Sequence, residues 1–252
     1  FKQSFIIHNP VEEYSIAQNI LHMLRADSSF TALEAEILDL ILLIHAEHGG
    51  GNNSTFTSHV VSSTGTDTYS SVSASIGSLK GPLHGGANCM VSNMIEDIKK
   101  NCSYTNEEFL KEYIRKIFMG EAFDRSGKVY GMGHAIYTLS DPRAVILKKK
   151  AYELAKEKGK LEEFELFSNV EKFTKEIGKE LKGENFEICA NVDLYSGFVY
   201  KLLNIPTNIF TPLFALARIA SWNAHRIEQI TSDRKIIRPA YKAIDVHGKL
   251  LV

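Results

Sequence analysis

The chain has 252 residues, 44% hydrophobic and 23% charged, enough to bury one large core or two modest ones. Twenty-nine Lys and Arg stand against 30 Asp and Glu, a formal charge of −1, so no global field favours nucleic acid or an anionic membrane. Cys89, Cys102 and Cys189, odd in number and without a CxxC pair, read as free thiols of a reducing, cytoplasmic compartment, and the longest apolar run, residues 37–44, contains Asp39 and is far too short to span a bilayer.

Ile16, Ile20, Leu21 and Leu24 follow the spacing of one buried helix face. Thr31 and Glu34 form a capping-box pair that opens a second helix, predicted to run over residues 33–48 and to stop at Gly49, Gly50 and Gly51. The Ser/Thr-rich stretch 52–75 reads as a loop, with a short small-residue helix at its end packed tightly on a neighbour. Met90, Val91, Met94, Ile95 and Ile98 then place an apolar stripe on a helix after Gly86. Further helices are predicted at 106–119, 142–158, 162–181 and 196–204. The last is predicted at 211–231, with Thr211 as N-cap and Pro212 at the first helical position. Strand signals are scarce, so the fold class is all-α. The Lys/Glu-rich middle, 148–184, suits a smaller, more solvated outer subdomain, and its lysines 148–150 read as a solvated face before they read as phosphate contacts.

Several histidines sit beside glycines. In "HAEHGGGN" (45–52), His45 and His48 at i and i+3 are expected to share a helix face. A metal reading would need a third ligand, Glu47 or His59, and the HExxH spacing is absent, so no metal is expected. In "KGPLHGGAN" (80–88), Pro82 restricts the backbone and the glycines permit a close turn, presenting His84 at a bend. In "GMGHAIYTLSDPR" (131–143), His134 again follows glycine and Arg143 lies nine residues on; no strand precedes the GxG and a third glycine is missing, which excludes a dinucleotide fingerprint. Asp193 in "NVDLYSG" is either a helix-start carboxylate or a base. Arg218 stands in the apolar "LFALARIASW", either salt-bridged or forming a fork for a carboxylate, and Arg238 follows in "RPA".

Taken in order, "HAEHGGGN", "GPLHGGAN", "GMGHAIYTLSDPR", "NVDLYSG", "ALARIASW" and "RPA" resemble the citrate synthase family, from residue 45 to the Arg238–Pro239 pair. The resemblance implies a large helical domain (1–86 and 201–252), a smaller mobile one (87–200), an active site in the cleft between them, and a homodimer. It implies condensation of acetyl-CoA with oxaloacetate and water to citrate and CoA, with no tightly bound cofactor. His84 would then hydrogen-bond the thioester carbonyl, Asp193 would take a methyl proton, and His134 would protonate the ketone oxygen. His48, Arg143 and Arg218 would hold the oxaloacetate carboxylates, with Arg238 supplied by the second subunit. Ala135 replaces an arginine found in many relatives, which bears on CoA contacts. Propionyl-CoA as cosubstrate, giving 2-methylcitrate, is the nearest alternative, and a citryl-CoA lyase module reuses much of such a site in reverse. The family's N-terminal region is longer than the 44 residues ahead of the first block, and the chain opens on Phe1; a non-catalytic fragment that dimerises or binds dicarboxylates is therefore the reading from another class.

Overall fold

The computed structural model describes residues 6–81, 84–134, 136–232 and 235–240. Pro82 and Ala135 lie outside the described residues. Ten α-helices and one short 3-10 turn form the described chain, with a single isolated antiparallel bridge, Met132 to Ala190. No described helix is long and apolar enough to cross a membrane.

Helices α1 (Ile16–Leu24) and α2 (Ala32–His45) each begin with a complete capping box, Ser15 with Gln18 and Thr31 with Glu34. Each box satisfies orphan backbone donors at the helix start from both directions. Helix α2 ends at His45, three residues earlier than the spacing predicts, so His45 and His48 do not share a helix face. His45 turns inward and its Nδ1 lies 2.9 Å from Ile41 O, whereas His48 sits in the following loop.

The small-residue helix expected at the end of the 52–75 stretch is α4 (Thr68–Leu79), but the part expected as loop holds a further helix, α3 (Asn53–Ser62). Their buried faces are hydroxylic: Ser54, Thr55, Ser58, Ser62, Ser71 and Ser75 are all buried. Small side chains let the backbones approach, and the hydroxyls satisfy one another, with Ser71 Oγ 3.1 Å from Ser58 Oγ and 3.0 Å from Ser62 Oγ. An apolar stripe is not needed where hydroxyls pair internally.

Helices α5 (Ala87–Asn101), α6 (Glu107–Phe118), α7 (Pro142–Glu157), α8 (Leu161–Lys182) and α9 (Val192–Leu202) follow. Helix α9 starts four residues before the predicted 196, because the Asn191 side chain caps it by accepting from Asp193 N. Asp141 caps α7 and Pro142 opens it, the arrangement in which proline's missing N–H costs nothing. Helix α10 (Phe210–Ser232) grows directly out of the 3-10 turn Thr207–Ile209. Thr211 is therefore inside α10 and not its cap; its hydroxyl donates to Gly85 O at 3.0 Å.

Helices α3, α4 and α10 pack together, α5 to α9 form a second set, and α2 touches both through α10 and α7. The main apolar core runs from Ala17 to Leu213, and Leu79, Ala215 and Trp222 make a small second cluster beneath α3 and α4. Glu34 ties α2 to this framework: its buried carboxylate meets Arg25 at 2.7 Å and Lys158 at 2.6 Å. Burial alone would raise its pKa, but the Arg25 and Lys158 hydrogen bonds hold it down at about 2. The solvated reading of lysines 148–150 fits the pairing of Lys148 with Glu171 and of Lys150 with Glu36 and Glu153.

Candidate active site

Two glycines shape the site because a side chain would not fit. A Cβ on Gly85 would lie 2.4 Å from Leu79 O, the same carbonyl that accepts the Gly85 N–H, so only glycine closes the turn that carries His84. Gly131 has φ +82° and sits against Leu194 of α9, where a Cβ would meet Leu194 Cα at 2.9 Å. That close approach brings the 131–134 turn onto the start of α9. Asn191 fastens it by donating from Nδ2 to Gly133 O at 2.9 Å.

The turn delivers His134 to Arg143 and His48. Arg143 NH1 lies 3.3 Å from His48 Nδ1, and Arg143 NH2 lies 3.3 Å from His134 Nε2. The two imidazoles meet edge to face at 5.0 Å between centroids. Asp141, fully buried, locks the guanidinium by accepting from Nε at 3.0 Å and from NH2 at 2.8 Å. His134 Nδ1 accepts backbone N–H groups from Ile136 and Tyr137 at 3.0 and 3.1 Å. In a neutral ring the remaining proton is therefore on Nε2, pointing at Arg143. An oxygen acceptor bridging the two from the side would satisfy both donors.

Burial and the Arg143 charge keep both rings neutral: His134 is shifted below the usual histidine range and His48 falls to about 4. His84, on the other side, has Nε2 3.0 Å from Ser54 Oγ, and burial with the Arg218 charge lowers its pKa too. Ser54 also accepts from Trp222 Nε1–H at 3.2 Å and donates to Asn52 Oδ1 at 2.9 Å. Asn52 in turn accepts from Arg218 NH1 at 3.4 Å.

Arg218 is fully buried on α10, donating from Nε to His45 O at 2.7 Å and lying 4.8 Å from the Phe214 ring centroid. Burial brings its pKa down to about 10. Its NH2 has no hydrogen-bond partner among the described residues. The expected alternative, a salt bridge with a helix neighbour, is not formed among the described residues. Asp193 is partly open at the second position of α9, and no described hydrogen bond reaches its carboxylate. Burial pushes its pKa up to about 6, with Arg143 and Arg218 pulling it back and Asp141 pushing it further.

Six of the seven sequence-derived residues thus converge: His48, His134 and Arg143 by contact, His84 and Arg218 through Ser54 and Asn52, and Asp193 through the fields of both arginines. Arg238 is exposed, and no described hydrogen bond or ion pair joins it to this group. Its neighbour Ile237 donates from N to Ser63 Oγ at 3.0 Å, which fixes that segment at the end of α3. Sequence reading passed over Ser54, hidden in a serine-rich run, and Asp141, whose Asp-Pro pair is a helix-start signal that was legible.

The family described as citrate synthase, C-terminal domain, matches residues 2–240. A citrate synthase of Synechocystis sp. is 40% identical over 240 residues, covering 95% of this chain and 55% of its own. A 2-methylcitrate synthase of Shewanella oneidensis is 34% identical over 246 residues, covering 98% of this chain and 60% of its own. Among solved structures, the citrate synthase of Thermoplasma acidophilum in ternary complex with carboxymethyl coenzyme A and oxaloacetate superposes with a TM-score of 0.74 at 30% identity, covering 92% of this chain and 57% of that one. The chain thus spans a little over half the length of the curated relatives it matches.

Proposed function

The chain belongs to the citrate synthase family, and from that premise we propose that it condenses acetyl-CoA with oxaloacetate and water, giving citrate and CoA. The observation that carries this reading is the convergence of donors with too few acceptors: Arg143, His134 Nε2–H and the unpartnered NH2 of buried Arg218. Such a set recognises a dianion that also bears a ketone oxygen. Arg143, Arg218 and His48 hold its carboxylates, and Arg238 joins them from the second subunit of a homodimer.

A thioester methyl is a very weak acid, and a carboxylate cannot deprotonate it unaided. Asp193, at about 6, is a stronger base than an ordinary aspartate with its pKa near 3.9, yet is still ionised at neutral pH. The enolate oxygen that forms needs a fixed donor. His84 supplies it once its ring proton lies on Nδ1, with Ser54 turning its single hydroxyl proton from Asn52 Oδ1 to His84 Nε2. The enolate carbon attacks the ketone carbon, and the ketone oxygen takes the proton from His134 Nε2. Water then cleaves the citryl thioester.

Enolate formation proceeds best away from water, so residues 87–200 act as the mobile domain closing on 1–86 and 201–252. No tightly bound cofactor is required by these steps. Three free thiols support a reducing, cytoplasmic setting.

The 34% identity to a 2-methylcitrate synthase favours propionyl-CoA as the second reading. One methylene in an acyl pocket is worth about 1–3 kcal/mol, so selectivity of roughly 10- to 200-fold is expected one way or the other. Competing acetyl-CoA and propionyl-CoA for oxaloacetate, with products identified by mass, tests this. Citrate in excess is the expected result; predominant 2-methylcitrate transfers the assignment to the second reading, and neither product removes both.

A further inference from the structure

Away from the proposed cleft residues, α3 and the second half of α10 bring two imidazoles together edge to face, 5.1 Å between centroids and 64° between planes. His59 Nε2 lies 3.1 Å from His225 Nδ1, and Glu228 Oε2 lies 3.3 Å from the same Nδ1. One ligand atom from each of these three residues lies within 4.8 Å of the others. The outer nitrogens are also engaged: His59 Nδ1 is 2.9 Å from Gln229 Oε1, and His225 Nε2 is 3.1 Å from Glu47 Oε2.

Both outer partners are acceptors, so both outer nitrogens carry protons. A neutral imidazole has only one proton, which leaves the two inner nitrogens with lone pairs aimed at each other. A metal ion seated beside these two nitrogens would take both lone pairs. Zinc–nitrogen bonds of about 2.0–2.1 Å at a tetrahedral angle place two nitrogens about 3.3 Å apart, close to the observed spacing. Imidazoles whose far N–H groups are held by a carboxylate and an amide oxygen are also oriented in the way metal-binding histidines are.

We propose that His59, His225 and Glu228 bind a divalent first-row transition ion, with zinc the best match, and that Glu47 and Gln229 are its outer supports. Nitrogen donors select against magnesium and calcium, which prefer all-oxygen shells. Glu228 is exposed and gives the ion a way in, and water completes the fourth position. The ion's role is positional. Glu47 also accepts from His48 N at 2.8 Å and from Gly49 N, so the ion, His225 and Glu47 brace the loop that carries His48.

The test uses the full chain, stripped with chelator, titrated with Co²⁺ by absorbance and with Zn²⁺ by calorimetry. One equivalent, a four-coordinate cobalt spectrum without thiolate charge transfer, and a melting temperature raised by zinc are expected. The His59→Gln/His225→Gln double variant should weaken binding at least 100-fold, and Glu47→Gln roughly 10- to 100-fold. Each single histidine variant, checked by circular dichroism, replaces the double one if that does not fold. No saturable binding by the native chain overturns the proposal. So does binding that survives in a folded histidine variant, shows cobalt–thiolate absorption, or is lost instead on His22→Ala, which breaks the His8–His22 ring pair at 5.4 Å.

Discussion

Asp193→Asn is expected to lower turnover by roughly 10²- to 10⁴-fold, the range of a positioned general base, while leaving oxaloacetate affinity within about twofold. The carboxylate has no described hydrogen bond to lose, so the change removes basicity and little else. Methyl-proton exchange of acetyl-CoA in deuterated buffer reads that step directly, and unchanged exchange would refute the role. The native rate of this step should fall as pH drops below about 6, where the base becomes protonated.

Stability should move the other way. A carboxyl whose pKa is raised on folding is happiest neutral, so its ionisation withdraws stability as pH rises from the unfolded value near 3.8 to about 6. Above that window the full cost is present. A carboxylate at a helix start returns only about 0.3–1 kcal/mol, less than the roughly 3 kcal/mol implied by two pKa units even after allowance for its partial exposure. Asp193→Asn should therefore melt a few degrees higher at pH 8 and show no gain near pH 4. A merely structural aspartate would lose stability on the same substitution.

Arg218→Leu should weaken oxaloacetate by roughly 10- to 100-fold, the equivalent of one charge-assisted pair at about 1.5–3 kcal/mol, with acyl-CoA affected much less. Calorimetric titration with each ligand distinguishes the two, and equal losses would count against a carboxylate fork. Folding should tolerate the change, because exchanging a buried charge for an apolar side chain removes a desolvation cost, offset by the lost bond to His45 O. Arg218→Lys restores the charge without the planar two-pronged geometry and should recover only part of the affinity.

Much of this architecture was legible because apolar periodicity and caps report on the same helices. Thr31 and Glu34 mark the start of α2, and the Met90–Ile98 stripe marks α5. The pattern failed at α3 for a physical reason: its interface with α4 is built from serines that bond to each other and to Trp222 O, which no hydrophobic period can reveal. It failed again at the end of α2, where the chain leaves the helix before His48 and puts that ring opposite Arg143 instead of beside His45.

At the site, glycine-flanked histidines and an arginine in an apolar helix were visible as chemical anomalies. What they lacked was the connecting tissue. Ser54 links Trp222, Asn52 and His84 across three segments far apart in sequence, and Asp141 orients Arg143 from two residues away. His59 was weighed in sequence only as a third ligand for His45 and His48, and His225 was passed over. The real partner of His59 is 166 residues away on α10, a separation that spacing rules do not cover.

The most direct measurement is release of CoA thiol by the purified chain with acetyl-CoA, in the presence and absence of oxaloacetate. Release that depends on oxaloacetate and collapses in Asp193→Asn is the predicted result. Well-folded protein that binds oxaloacetate yet releases no thiol would contradict the catalytic assignment and leave a dicarboxylate-binding module in its place.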